Sequence, residues 1–163
     1  MLGSGSRSDA TPGGWWKIKR QPTALPDEQW SGPERAPRVL IECEDSSMIW
    51  AMERLLGDAG YEVAACVGPS AEATCALAAT GHCELQAGAD VINNHLRPGA
   101  DGVGDLVHAT RAAYPDTPVV VSARAHLEAD DLAYDGTVVL QEPWQSEALV
   151  AAVDELTGRS SRS

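Results

Sequence analysis

Four polar clusters, far apart along the chain, each follow a short apolar run. They read Glu42-Cys43-Glu44-Asp45, Asn93-Asn94-His95, Ser122-Ala123-Arg124 and Glu142-Pro143-Trp144, with Gly68-Pro69-Ser70 after a further run. Their chemistry is mixed. Glu44 offers carboxylate oxygens and Cys43 a thiol. Asn94, Ser122 and Glu142 can hydrogen-bond one another. Cys43 is either a reactive thiol or a half-buried small residue; Glu42, Glu44 and Asp45 around it favour the second.

The elements that must position these residues alternate between two periods. Arg38-Val-Leu-Ile-Glu42 reads as a strand. Ser46 or Ser47 can cap a following helix whose apolar face is Met48, Ile49, Met52, Leu55, Leu56 and Ala59, ended by Gly60. Tyr61–Val67 is a second strand, and Pro69-Ser70 opens a small-residue helix through Ala79. A loop from Gly81 to Gly88 leads to a short third strand around Asp90-Val91-Ile92. After a turn at Pro98–Gly102 comes a helix lined by Val103, Leu106, Val107, Thr110 and Ala113. Pro118–Val121 is the fourth strand, His126–Ala133 a weakly patterned helix and Thr137–Leu140 the fifth strand. Ser146 caps a last helix with Leu149, Ala152, Val153 and Leu156 inward. Strands alternating with helices predict an α/β fold, a doubly wound parallel sheet whose site lies at the carboxyl ends of its strands.

Composition bounds the rest. The chain has 163 residues, no Phe and a formal charge of -12, which argues against nucleic acid and anionic lipid as partners. Residues 1–36 carry a net +1, so the remainder holds -13. That stretch is rich in Gly, Ser and Pro, lacks a period and reads as a flexible N-terminal arm. Within it, Trp15-Trp16 beside Lys17, Lys19 and Arg20 is the kind of cluster that docks on a partner or a membrane surface, although a disordered tail with incidental Trp is the favoured reading. The expected domain spans 37–158, followed by a short tail at 159–163. No apolar stretch predicts a leader or a membrane span, and the cytoplasm is the expected compartment. Cys43, Cys66, Cys75 and Cys83 are expected as free thiols. His82-Cys83 near Cys75 is a weak metal hint without a CxxC pair.

Four stretches resemble the response-regulator receiver domain of bacterial two-component systems. They are Arg38-Val-Leu-Ile with Glu44-Asp45-Ser46-Ser47 through Gly60-Tyr61-Glu62-Val63, then Asn94-His-Leu-Arg-Pro98-Gly-Ala-Asp-Gly102, then Tyr114-Pro-Asp-Thr-Pro-Val-Val-Val-Ser-Ala123, and Glu142-Pro143-Trp144. Each is weak alone; the order and spacing make the match specific over residues 38 to about 158. The resemblance implies a flavodoxin-like sheet of five parallel strands in the order 2-1-3-4-5 with five helices.

It also implies a phosphorylation site, and here the chain departs from the family. The two acidic residues that hold Mg²⁺ in the family fall on Cys43 and Glu44. The acceptor Asp falls on Asn94, in a register that leaves Asn93 and His95 open. The switch hydroxyl survives as Ser122, the aromatic switch position falls on Val139, and the lysine falls on Glu142. An acyl phosphate cannot form on an amide. Glu142 would repel a phosphoryl group that a lysine attracts, at about 4 kcal/mol for unit charges 4 Å apart at an effective dielectric of 20. Asp90, at the wrong end of its strand, and Asp101, beyond the turn, do not replace the acceptor. No metal is expected, with Glu44 the sole ligand at most, and no cofactor, Mg²⁺ included.

The expected function is therefore a stand-alone receiver-like signalling module of the two-component or phosphorelay type, degenerate at its phosphorylation site. It is expected to be no enzyme, to carry no DNA-binding domain after Leu156, and to act on a protein partner, a histidine kinase or another signalling protein. Two alternatives stand beside it: a regulator phosphorylated at an atypical site, and a pocket that senses a small molecule or redox state.

Overall fold

A computed structural model describes Trp30 and residues 36–68, 75–95, 103–123 and 135–159. Five strands form one parallel sheet: β1 (Arg38–Glu42), β2 (Glu62–Cys66), β3 (Val91–Asn94), β4 (Val119–Ala123) and β5 (Thr137–Gln141). Their order is β2-β1-β3-β4-β5. All four pairings are parallel, so every connection must cross over the sheet. The described helices are α1 (Ser46–Asp58), α2 (Ala76–Thr80), α3 (Glu84–Ala87), α4 (Val103–Ala113) and α5 (Ser146–Leu156).

Strand alternation divides the core into two layers. Val39, Ile41, Val91 and Val120 point to the face covered by α1 and α5, where they meet Met52, Leu56, Leu149 and Val153. Leu40, Ala64, Ile92, Val119 and Val121 point to the other face and pack with Leu85 of α3. On that side α2 and α4 are joined through Leu77 and Leu106. With both faces covered, the central strands read as nearly continuous apolar runs.

Local chemistry corrects several expected boundaries. Asp45, rather than Ser46 or Ser47, caps α1: its Oδ1 accepts from the backbone N–H groups of Ser47 at 2.8 Å and Met48 at 3.1 Å. A carboxylate one residue earlier reaches the first-turn N–H groups and also suits the positive end of the helix dipole. Ser146 is the first residue of α5; Gln145 occupies the cap position without a side-chain bond. The expected Gly81–Gly88 loop contains α3, a single turn too short for periodicity to reveal. The third and fourth strands run further than their apolar runs, through Asn94 and Ala123, because polar residues there find partners inside the fold or remain buried. Gly60, at φ 87°, sits just past the end of α1, where a left-handed residue lets the chain turn into β2.

Trp30 changes the picture of the N-terminal arm. It is 8 % exposed and belongs to the apolar cluster of Leu40, Ala64 and Ile92. The Arg38 guanidinium stacks over its ring at 4.7 Å. The remainder of residues 1–35, Trp15 and Trp16 included, lies outside the described residues. So do Pro69-Ser70, the Pro98–Gly102 turn with Asp101, Arg124, the expected helix His126–Ala133 and residues 160–163. No helix among the described residues is long and apolar enough to cross a membrane.

Candidate functional site

The sheet brings the strand ends together as the topology requires. Glu42 ends β1 and Asn94 ends β3, and the two are direct partners in register. Ser122 of β4 follows Val121, the partner of Asn94. Glu142 follows β5 immediately. Ser122 pairs with Leu140, and Val139 with Val121.

The centre of the site is a carboxylate that side-chain periodicity turns inward. Glu42 points to the same face as Leu40 and is 3 % exposed. Its Oε2 accepts from Asn94 Nδ2 at 2.9 Å. Its Oε1 accepts from Gln86 Nε2 at 2.6 Å. Gln86 Nε2 also donates to Thr110 Oγ1 at 3.0 Å. Four elements, β1, β3, α3 and α4, are thus tied through one buried acid. Burial pushes the Glu42 carboxyl above its ordinary range, and the amide donations from Gln86 and Asn94 pull it part of the way back. Patterning places Thr110 on the inward stripe of its helix without giving it a partner, and it does not single out Gln86, because a polar residue on a one-turn helix has no period of its own. The usable signal was Glu42 itself, an acidic residue at an inward strand position.

The other site residues divide into those inside and those on the rim. Asn93 is fully buried on the opposite face, donating to Met52 Sδ at 3.2 Å. Strand alternation therefore separates the two asparagines, and only Asn94 faces Glu42. Cys43 is fully buried rather than half-buried, its Sγ donating to the Asp45 carbonyl at 3.6 Å. Ser122 is buried, and its Oγ has no hydrogen-bond partner among the described residues. Glu44 is exposed. His95 follows Asn94: its N–H donates to the Glu42 carbonyl at 2.8 Å, and its Nε2 lies 3.7 Å from Glu142 Oε1. The His95 ring also meets Trp144 edge-on at 5.9 Å. The rim therefore joins β3 to β5 through His95, Glu142 and Trp144. Asp90 lies at the opposite end of β3, where its Oδ2 accepts from the Arg38 N–H at 2.8 Å.

The weak metal hint resolves into hydrogen bonding. The Tyr114 hydroxyl accepts from the Cys83 N–H at 2.8 Å, donates to the Cys83 carbonyl at 3.0 Å and lies 3.0 Å from His82 Nδ1. Among the described residues no group of three or more His, Cys, Asp or Glu is placed to hold a metal ion. All four cysteines are free thiols, and burial pushes Cys66 up to about 11. Cys83 is raised as well, again chiefly by burial.

Comparison with solved structures agrees with this architecture. A response regulator receiver protein from Sinorhizobium medicae superimposes with a TM-score of 0.57 at 22 % identity, covering 76 % of this chain and 95 % of that one. The chemotaxis protein CheY4 of Vibrio cholerae gives 0.53 at 22 %, covering 74 % and 98 %. A chain described as adenylate cyclase from Rhodopirellula baltica gives 0.58 at 22 %, covering 76 % and 89 %. No protein-family model and no curated protein sequence matches the chain. The fold is that of the response-regulator receiver domain, with the strand order expected from the sequence.

Proposed function

We propose that this chain is a receiver-like signalling module that works without phosphorylation, through contact with another protein. The observation that carries the reading is the bond between Asn94 and Glu42. At the strand end where the resemblance calls for a nucleophilic carboxylate, an amide stands instead, and its N–H₂ is committed to a buried acid. An amide has no anionic oxygen to accept a phosphoryl group.

The surrounding groups support the same reading. Mg²⁺ does not fit the donor set. The Cys43 sulfur is soft and buried, the Glu42 oxygens are engaged by amides, and Glu44 is exposed. Glu142, at the lysine's place, faces His95 and would repel a phosphoryl group. What the described residues leave is a hydrogen-bonded strand-end arrangement suited to recognition rather than catalysis. The partner this function calls for is another signalling protein. Incubation with acetyl phosphate and Mg²⁺ followed by intact mass tests the reading: no mass gain is expected, and a stoichiometric, base-labile phosphoryl adduct at Asn94 or its neighbours overturns it.

A further inference from the structure

The buried end of β1 poses a problem of charge. Glu42 is enclosed by β1, β3, α3 and α4, and both its oxygens meet neutral amides. The described groups that face it are Asn94 on β3, Gln86 on α3 and Thr110 on α4. The other titratable groups near it are the thiols of Cys66 on β2 and Cys83 before α3, both raised chiefly by burial. Of the charged neighbours in sequence, Glu44 is exposed, and the His95 ring is turned to Glu142. No cation among the described residues is bonded to Glu42. An ionised carboxylate removed from water without a cation is costly, and the usual escape is protonation.

The geometry provides for that escape. The contact between Glu42 Oε1 and Gln86 is 2.6 Å, short for an amide N–H donor and ordinary for an O–H donor. Gln86 Oε1 is buried without a partner among the described residues. A half-turn of the Gln86 amide exchanges Oε1 and Nε2 with hardly any movement of other atoms. Oε1 then accepts from a Glu42 carboxylic acid and from the Thr110 hydroxyl, which lies 3.0 Å from that position. Asn94 continues to donate to Glu42 Oε2. The turn moves the unpartnered atom from the acceptor end of the Gln86 amide to its donor end, so one orphan replaces another. The buried charge disappears, and that difference decides between the two arrangements.

We propose that Glu42 is carried as a neutral carboxylic acid that donates its proton to the Gln86 amide oxygen. A proton inside the sheet end, rather than a phosphoryl group above it, then ties α3 and α4 to β1 and β3. This deepens the reading above and rests on it in one respect, that no phosphoryl group occupies the strand ends. Loss of the proton in alkaline solution places a charge in the apolar interior and loosens α3 and α4 from the sheet.

The test is the ¹³Cδ shift of Glu42 in the full chain, followed from acid to alkaline solution. The expected result is a carboxylic-acid shift that persists at neutral pH and changes only in the alkaline range. Hydrogen exchange of α3 and α4 amides, corrected for its intrinsic pH dependence, should accelerate at the same midpoint. The isosteric E42Q variant should unfold at the same temperature as the wild type or higher at neutral pH, and should lose the exchange transition. Titration of Glu42 in the ordinary carboxylate range overturns the proposal, and it does so in the wild type even if E42Q fails to fold. Phosphate uptake with Glu42 still protonated would overturn the reading of the previous subsection and leave this proton in place.

Discussion

The two edges of the sheet handle charge in opposite ways. At the amino-terminal edge, opposite charges meet. Arg38 lies 3.5 Å from Glu62, stacks on Trp30 and donates to the Gly88 carbonyl at 3.5 Å, while Asp90 takes the Arg38 N–H. At the carboxyl edge a buried carboxylate meets amides, a serine hydroxyl lies buried, and a rim glutamate faces a histidine. Among the described residues both ends bury an unpartnered polar atom, Trp30 Nε1 at the first and Gln86 Oε1 and Ser122 Oγ at the second, but at the second a buried carboxylate is bonded to amides and to no cation. The proposed function assigns a role to the carboxyl ends on this difference, with Asn94 bonded to Glu42 where the resemblance calls for an acceptor Asp.

The comparison can be broken first at the packing that holds both edges. Leu56→Ala, on the dry layer under α1, should cost about 3–5 kcal/mol through the lost burial and the cavity left behind. Urea unfolding would measure it, and a loss under about 1 kcal/mol would mean that α1 does not pack as described. Trp30→Ala should cost about 3 kcal/mol, because the amino edge loses both an apolar plug and the Arg38 stack. An unchanged transition would restore the expectation that residues 1–36 are a wholly flexible arm.

The carboxyl edge should respond to charge. Asn94→Asp places a second carboxyl within hydrogen-bond distance of Glu42. Beside a neutral Glu42 the new carboxylate, once ionised, is a buried charge with no proton to give Glu42 Oε2, so the variant should lose about 2–3 kcal/mol at neutral pH and regain it on acidification, when the new group is protonated and can donate again. Equal losses at both pH values would show that Asn94 matters for shape alone. The same crowding means that Asn94→Asp by itself should not permit phosphorylation; Cys43→Asp and Glu142→Lys would be needed with it.

Cys66 sharpens the contrast in alkaline solution. Its thiol is raised to about 11 by burial, so it is neutral in folded and unfolded chains alike at neutral pH. The stability it contributes is present below the unfolded thiol's range, and it falls as pH rises from there through about 11. That loss should reach about 2 kcal/mol, and native-state alkylation of Cys66 should stay far slower than alkylation of the unfolded chain. Rapid modification at neutral pH would contradict this burial. The smallest effect is expected at Ser122→Ala: an unpartnered hydroxyl has little to lose, so stability should change by less than about 0.5 kcal/mol.

How much was legible in the sequence follows from which features have a period. The five strands and the faces of α1, α4 and α5 are repeated patterns, and repetition is readable; the strand order was implied by the family resemblance. Asn94 at a strand end was readable by spacing, although only side-chain alternation, visible in three dimensions, separates it from Asn93. Glu42 was visible as a residue, but its burial was not, since that depends on Gln86 and Thr110 arriving from α3 and α4. Trp30 lay in a stretch whose composition spoke for disorder, and one anchoring side chain leaves no pattern. Asp45 took the cap from the serines because helix capping is decided by one residue's reach.

The proposed function requires that the strand ends of this receiver fold hold an acid–amide hydrogen-bond network instead of a phosphorylation site. Intact mass after incubation with acetyl phosphate and Mg²⁺, with the wild type beside the Cys43→Asp, Asn94→Asp, Glu142→Lys triple variant, tests it most directly. The expected result is an unchanged wild-type mass and one added phosphoryl group on the variant at residue 94. A phosphoryl adduct on the wild type within residues 90–101, labile to base, would contradict it.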